Sequence, residues 1–315
     1  MFKKISSRAR GYFIRPMMKH ALKSLLLQGK LASLSVRERK SISSLVEVEF
    51  TVFSQWGEDG IIDWLIERLD LPSHLQTFIE FGVELYEEAN TRFLLENRNW
   101  RGLVMDGDPR LRESLIHQGI FWRHDIRATT AFITRENINQ LIQEAGLDGD
   151  IGLLSIDIDG NDYWVWEAIT AVNPVIIVCE YNAVFGDIWP ISIPYDSQFS
   201  RTAKHFSNLY FGASIRALES LAKRKGFEFL GSNNSGGNAF FVRHDYAARL
   251  KGAIANRNGR LSYLRESRNE TGCLTFLTGE QRLKMISELP VINVETGETV
   301  LLCELPKLYS DAWTV

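Results

Sequence analysis

The chain has little cysteine. Three residues in 315, Cys179, Cys273 and Cys303, are odd in number and far apart. That spacing excludes a disulfide framework or a cysteine-rich metal site and fits a reduced, cytoplasmic setting. No apolar run approaches the roughly 20 residues that cross a bilayer, so no span is expected. The opening residues are basic, but they lack a compact apolar core with a small-residue cleavage site, so no secretory signal is read there. Internal repeats and low-complexity segments are absent as well. So is G-x-G-x-x-G, with which a nicotinamide-binding turn cradles a pyrophosphate. No Asn/Asp-Pro-Pro-Tyr run of the base-flipping kind occurs either, and with an acidic core this argues against nucleic acid as a partner.

What is present is an ordinary globular composition, 45% hydrophobic and 24% charged, with a net charge of −3. The length suits one large α/β domain with extensions, or at most two domains. The average charge hides an asymmetry: residues 1–40 hold eleven Lys/Arg and one Glu, and the remainder holds 25 basic and 38 acidic residues. We divide the chain into a basic N-terminal helical extension (1–45), a central domain (46–245) and a C-terminal extension (246–315). Between Met17 and Leu34 the pattern is helical, with Met18, Ala21, Leu22, Leu25 and Leu31 near one face and Lys19, His20, Lys23 and Lys30 elsewhere. Two readings stand: an in-plane helix against an anionic inner-membrane surface, with Tyr12 and Phe13 at the interface, or a helix packed on the domain with a solvated basic face.

Residues 60–70 predict an amphipathic helix closed by Pro72. Strands are expected at 77–82, 102–106, 119–123, 151–157, 174–180, 227–231 and 238–243. Helices are expected at about 90–98, 110–117, 135–145, 161–170 and 213–225. This alternation predicts a doubly wound, mostly parallel seven-stranded sheet. The last two strands, joined by Ser232-Asn-Asn-Ser-Gly-Gly237 with no room for a crossover, should pair antiparallel.

In such a sheet a ligand crevice opens beyond the carboxyl ends of the strands. Thr77-Phe-Ile-Glu-Phe-Gly82 ends the first strand on a glycine among acids, Glu80, Glu84, Glu87 and Glu88. Carboxylates there suit a cationic cofactor such as S-adenosylmethionine and repel a diphosphate. Asp106, 24 residues after Gly82, is near the ~20 at which an acid reaches ribose hydroxyls, with Asp108 as competitor. Gln55, Gly57, Glu58 and Asp59 precede the 60–70 helix, where polar groups either hold the methionine part of the cofactor or simply cap the helix. His124 and Asp125 follow the expected third strand, where a polar group commonly reads adenine.

Asp157, Asp159 and Asp162 stand at the end of the fourth strand, and Glu180 and Asn182 at the end of the fifth. Of these, Asp157, Asp159, Glu180 and Asn182 are candidate ligands for Mg²⁺ at about 2.0–2.6 Å, and Asp157 alternatively fixes the cofactor loop. An alcohol acceptor must lose a proton, for which Asp159, His205 and His124 are the candidate bases, Asp159 first. The segment from Tyr181 to Phe211, with Phe185, Trp189, Tyr195, Phe206, Tyr210 and Phe211, is a candidate acceptor wall.

Five segments in order, Phe53-Ser-Gln-Trp-Gly-Glu-Asp-Gly60, Phe78-Ile-Glu-Phe-Gly82, Asn90-Thr-Arg-Phe, Asn99-Trp-Arg-Gly-Leu-Val-Met-Asp106 and Leu154-Ser-Ile-Asp-Ile-Asp-Gly160, resemble FkbM-type methyltransferases over roughly residues 50–245. The resemblance implies the Rossmann-like class I methyltransferase fold, S-adenosylmethionine as donor, and a hydroxyl acceptor on a sugar or similar metabolite. It assigns Glu80 and Gly82 to the cofactor loop, Asp106 to the ribose, and Asp157 and Asp159 to the acidic pair of the fourth strand. The glycine-rich loop is here reduced to Gly82, and Asp159 replaces what is commonly Glu. The expectation is thus a cytoplasmic O-methyltransferase of polysaccharide biosynthesis. Its rivals are an NAD- or nucleotide-sugar-using α/β enzyme and a noncatalytic scaffold of a polysaccharide-assembly complex.

Overall fold

The structure, a computed structural model, describes residues 7–313, with side chains from His20 onward. Its strands are β1 (Thr77–Phe81), β2 (Arg101–Asp106), β3 (Ile126–Thr130), β4 (Gly149–Ile156), β5 (Val172–Glu180), β6 (Ile191–Ser192), β7 (Phe227–Ser232), β8 (Asn238–Arg243), β9 (Pro290–Asn293) and β10 (Thr299–Leu301). The helices are α1 (Ser7–Arg37), α2 (Glu58–Leu69), α3 (Arg92–Arg98), α4 (Leu111–His117), α5 (Ile138–Glu144), α6 (Asp162–Ala168), α7 (Arg201–Lys204), α8 (Ile215–Lys225), α9 (His244–Ala247) and α10 (Glu280–Ile286).

Seven strands form one sheet in the order β3-β2-β1-β4-β5-β8-β7. The first five run parallel, and β8 lies antiparallel between β5 and β7. This is the doubly wound, Rossmann-like class I methyltransferase arrangement expected from the sequence. The runs Ile151–Ile156, apolar apart from Ser155, and Val175–Cys179 are buried throughout, as central parallel strands covered on both faces require. One face packs on α2, α3 and α4 through Ile61, Trp64, Leu65, Leu95 and Leu111. The other packs on α5, α6 and α8 through Ile142, Trp166 and Leu218. The parallel strands therefore bring their carboxyl ends to a single edge of the sheet.

The third strand departs from expectation. Residues 119–123 are a turn, with Arg123 and His124 donating backbone N–H bonds to the Ile120 carbonyl, and Trp122 is 81% exposed. The strand is Ile126–Thr130, so His124 and Asp125 precede it and sit at the opposite end from the crevice. The adenine-reading role expected of them is corrected.

Helix α1 is longer than the sequence pattern suggested. Leu22 and Leu26 pack on Val52, Phe53 and Phe93, and a Cβ on Gly29 would lie 2.5 Å from Val52. The helix is then pinned to α2 by Ser33 and Arg37, whose side chains donate to Asp63 at 2.7 and 3.1 Å. The expected apolar face divides: Leu22 goes inward with Leu26, and Leu31 is exposed beside Leu27 and Leu34, each 59–60% accessible. Tyr12, Phe13, Met18 and Lys19 fall outside the described side chains. Among the described residues no helix is long and apolar enough to cross a membrane.

After β8 the chain returns over the crevice. Strands β9 and β10 form a hairpin that pairs with β6 in a second, three-stranded sheet. Val184, Phe185, Leu209 and Tyr210 pack with Ile286, Val291, Leu302 and Leu308 in a separate small core. The segment between β5 and α8 and the C-terminal extension thus make one cap.

Candidate active site

A crevice of about 1020 Å³ opens at the carboxyl ends of β1, β2, β4 and β5 under this cap. Its geometry begins at Gly82. The backbone there has φ +72°, and a Cβ would lie 1.5 Å from the Asp157 carbonyl oxygen. Only glycine lets the β1 and β4 tips close on each other at this point.

One half lies over β1, β2 and β3. Asp106, at the end of β2, accepts backbone N–H bonds from Glu84 (2.7 Å) and Asp108 (2.7 Å). Each oxygen keeps a second lone pair, which leaves two acceptors in a fixed orientation on the crevice wall. Ala131, Phe132 and Ile133, directly after β3, form the floor beyond it, and Phe132 is 56% exposed. An exposed ring facing a crevice offers a stacking surface for a purine. These three residues were missed in the sequence because the third strand was placed too early. Gln55, Gly82, Glu84, Glu88 and Asn90 line the rest of this half.

Glu80 lines the crevice but is committed to the fold. Its carboxylate accepts from the Asn90 N–H (2.7 Å), the Thr91 N–H (3.0 Å) and the Thr91 hydroxyl (2.5 Å). Burial pushes it up to about 7, against these bonds. Glu58 is placed elsewhere than expected. It is fully buried, accepting from Trp56 N–H and from the Asn233 and Asn238 amides at 2.6–2.9 Å. It ties α2 to the β7–β8 turn and does not line the crevice, so its expected cofactor contact is corrected. Asp59 caps the 52–54 turn through three backbone N–H bonds of 2.7–2.9 Å.

The centre of the crevice is acidic. Asp157, Asp162 and Glu180 bring carboxylate oxygens within 4.8 Å of one another. Asp162 is consumed by its loop, accepting from Ile158 N–H (2.8 Å) and Gly160 N–H (2.9 Å). Asp157 has no side-chain hydrogen bond among the described residues, and Glu180 Oε2 is buried without a partner. Burial, then the neighbouring carboxylates, hold both Asp157 and Glu180 well above the usual carboxylate range. Unpartnered carboxylates at this separation relieve their repulsion by sharing a proton or holding a cation.

The expected metal set is rearranged. Asn182 spends its amide on the Leu209 and Phe211 carbonyls (2.9 and 3.0 Å), and its oxygen accepts from Val184 N–H (3.0 Å). It therefore ties β5 to the cap and is corrected as a ligand. Asp159, in the left-handed region at φ +55°, is ion-paired to Arg201 and stands apart from the cluster. The oxygens that remain for a cation belong to Asp157 and Glu180.

Neither candidate histidine reaches the crevice. His124 bonds Asn99 at 3.0 Å and lies 3.4 Å from Glu96. His205 bonds Ser207 at 2.7 Å beside the Phe206 ring. Both are corrected as bases. The aromatic wall is also thinner than expected: Phe185 and Tyr210 fill the cap core, and Tyr195 bonds Glu136. Phe211, together with Phe199 lying over Gly160, remains on the crevice.

The far half is arginine-rich. Arg201, Arg265, Arg268 and Arg282 line it, with Asp159 and Glu266 as the acids among them and Leu264, Leu274 and Phe276 between. Three of these arginines come from the C-terminal extension, which the sequence reading left without a role.

No family model and no curated protein matches the chain. Solved structures do match, at low identity. A putative O-methyltransferase from Klebsiella pneumoniae is 14% identical over 70% of this chain and 89% of its own, with a TM-score of 0.37. A S-adenosylmethionine-dependent methyltransferase from Clostridium acetobutylicum is 10% identical over 59% of this chain and 90% of its own, TM-score 0.37. A S-adenosylhomocysteine-bound methyltransferase from Podospora anserina is 10% identical over 77% and 98%, TM-score 0.36. These likenesses concern the fold alone.

Proposed function

We propose that the protein is an S-adenosylmethionine-dependent O-methyltransferase acting on a hydroxyl of a sugar or glycan precursor. The observation that carries this reading is the glycine-closed strand tip at Gly82 with Asp106 fixed beside it, facing an unpartnered carboxylate pair. The quoted motifs support an FkbM-type enzyme, and the fit of the crevice supports the cofactor. Asp106 would take the ribose hydroxyls, Phe132 the adenine, and Gln55 and Asn90 the methionine end. The cofactor supplies the methyl group, the new O–C bond forming as the C–S bond breaks with its electron pair left on sulfur.

This chain's residues supply position and a proton acceptor. Glu180 takes the hydroxyl proton, because its Oε2 is buried without a partner on the crevice wall, and Asp157, also unpartnered, stands beside it. Asp159, held by Arg201, is a positioning residue. A base of raised pKa suits an alcohol better than an ordinary carboxylate. The carboxylate pair holds a proton in this reading, and no divalent cation is needed.

Incubating the full chain with methyl-labelled S-adenosylmethionine and glycan extract tests the reading. Label should enter a base-stable ether, and EDTA should change the rate less than twofold; abolition by EDTA would assign the pair to a cation. Cofactor binding without transfer would favour the scaffold reading, and NAD binding in its place the rival enzyme.

We further propose that α1 rests on an anionic membrane surface. Exposed Leu27, Leu31 and Leu34 flanked by Lys23 and Lys30 support this.

A further inference from the structure

Charge is distributed unevenly along the crevice. The arginines of its far half exceed the acids there by four to two. Arg201 is satisfied, paired with Asp159 and stacked 3.8 Å from the Phe211 ring centroid. Arg268 pairs with Glu266 at 3.1 Å. The other two differ. Arg265 is exposed, and its guanidinium has no hydrogen-bond or ion partner among the described residues. Arg282 is buried, 9% accessible, and no carboxylate lies within ion-pair distance. One of its amino groups donates to the Leu264 carbonyl at 2.9 Å, while its Nε is buried with no acceptor.

A desolvated guanidinium with no carboxylate in ion-pair contact is costly, because little of its lost hydration is replaced. Burial, with Arg201 nearby, also weakens its hold on its own proton. Folds tolerate such a group where an anionic ligand completes it. Guanidinium forks fit phosphate oxygens two at a time. Apolar Leu264, Leu274 and Phe276 around the pair reduce water screening and strengthen the interaction. The opposite half, with Glu84, Glu88 and Asp106, repels the same group, so the anion has one orientation available.

We propose that the acceptor is anionic, carrying a phosphate or diphosphate that seats against Arg265 and Arg282 while its hydroxyl points to Glu180. This rests on the methyltransferase reading for the hydroxyl, and on the arginines alone for the anion. The chemistry is shared by a sugar phosphate, a nucleoside-diphosphate sugar and free phosphate, which the experiment separates.

Inorganic pyrophosphate is titrated calorimetrically into the full chain already saturated with S-adenosylhomocysteine. Binding is expected without displacement of the nucleoside, weakened at least tenfold in Arg282→Gln and again in Arg265→Gln, with nucleoside affinity unchanged in both. Arg268→Gln, whose charge is already paired, should lose less than threefold. Labelled methyl product from the glycan extract should bind an anion exchanger and lose that retention after phosphatase or pyrophosphatase treatment. A neutral product, or pyrophosphate affinity untouched by both substitutions, overturns the proposal. Pyrophosphate that displaces the nucleoside overturns it also, since the anion would then lie in the cofactor half. An inorganic phosphate that binds as tightly as a sugar 1-phosphate or a nucleoside-diphosphate sugar overturns the acceptor role. Absence of any labelled product defeats the methyltransferase reading, and the pyrophosphate titration then decides the arginine site by itself.

Discussion

The two halves of the crevice hold charge by different means. Over β1 and β2, the carboxylates of Glu80 and Asp106 are gripped by backbone N–H groups from neighbouring loops. Beyond Asp159, the guanidinium groups of Arg265 and Arg282 lack carboxylate partners. The first half is complete as folded at Glu80 and Asp106, which are fixed before any ligand arrives. The second is incomplete, and a ligand would finish it. Preorganisation on one side and unmet charge on the other are what a tightly held cofactor and an exchanging acceptor would each require.

The largest expected effect falls on the carboxylates between the halves. Glu180→Gln should lower kcat by about 10²–10⁴-fold, the range for a lost general base, while leaving S-adenosylhomocysteine affinity unchanged. The sign of the pH dependence follows. The base works deprotonated, and its pKa is raised by burial and by Asp157, so kcat should climb as pH rises through that elevated value and then level off. The variant should lose that climb in a stopped-time assay across pH 5–9, whereas a merely structural role would leave its shape intact.

Next comes Gly82→Ala, which attacks the complete half. A positive φ and a Cβ 1.5 Å from the Asp157 carbonyl leave no relaxed solution. About 3 kcal/mol of stability should be lost, the scale of strain plus overpacking, visible as a lower Tm and at least a hundredfold weaker nucleoside binding. Unchanged binding would mean that the strand tips do not form the cofactor cradle.

Asp106→Ala should act more narrowly. Loss of charge-assisted bonds to two hydroxyls costs about 1.5–3 kcal/mol, or roughly 10- to 150-fold in calorimetric Kd, with kcat at saturation largely kept.

The smallest effect on chemistry belongs to α1. Replacing Leu27, Leu31 and Leu34 by Ser should leave methyl transfer and Tm nearly unchanged, yet remove binding to vesicles containing phosphatidylserine. Deleting residues 1–40 instead would strip Ser33 and Arg37 from Asp63 and expose Val52 and Phe93, so it tests stability rather than docking.

The sequence carried the sheet where burial is complete. Ile151–Ile156 and Val175–Cys179 lack the polar alternation of a half-exposed strand, as a covered strand requires, and the β7–β8 hairpin followed from a linker too short to cross over. It misled at the edge. Strand β3 reads Ile-Arg-Ala-Thr-Thr and is largely half-buried or exposed, so the apolar triplet Ile120-Phe-Trp outweighed it. That shift placed the expected adenine contact at Asp125, which lies at the far end of the strand, and hid the exposed Phe132 on the crevice. Glu58 and Asn182 were misjudged for another reason: capping and strut roles use the same polar residues as ligand sites, and only geometry separates them. The arginines of the C-terminal extension were invisible because their meaning depends on chain returning over the sheet from more than 80 residues beyond Glu180.

That return has an implication for descent. The side proposed to hold the nucleoside is written between residues 55 and 133, while most of the opposite wall is written after residue 198. Change confined to the later stretch could retune which molecule is modified and leave donor binding intact. A lineage built this way can explore new acceptors without rebuilding the chemistry that serves them.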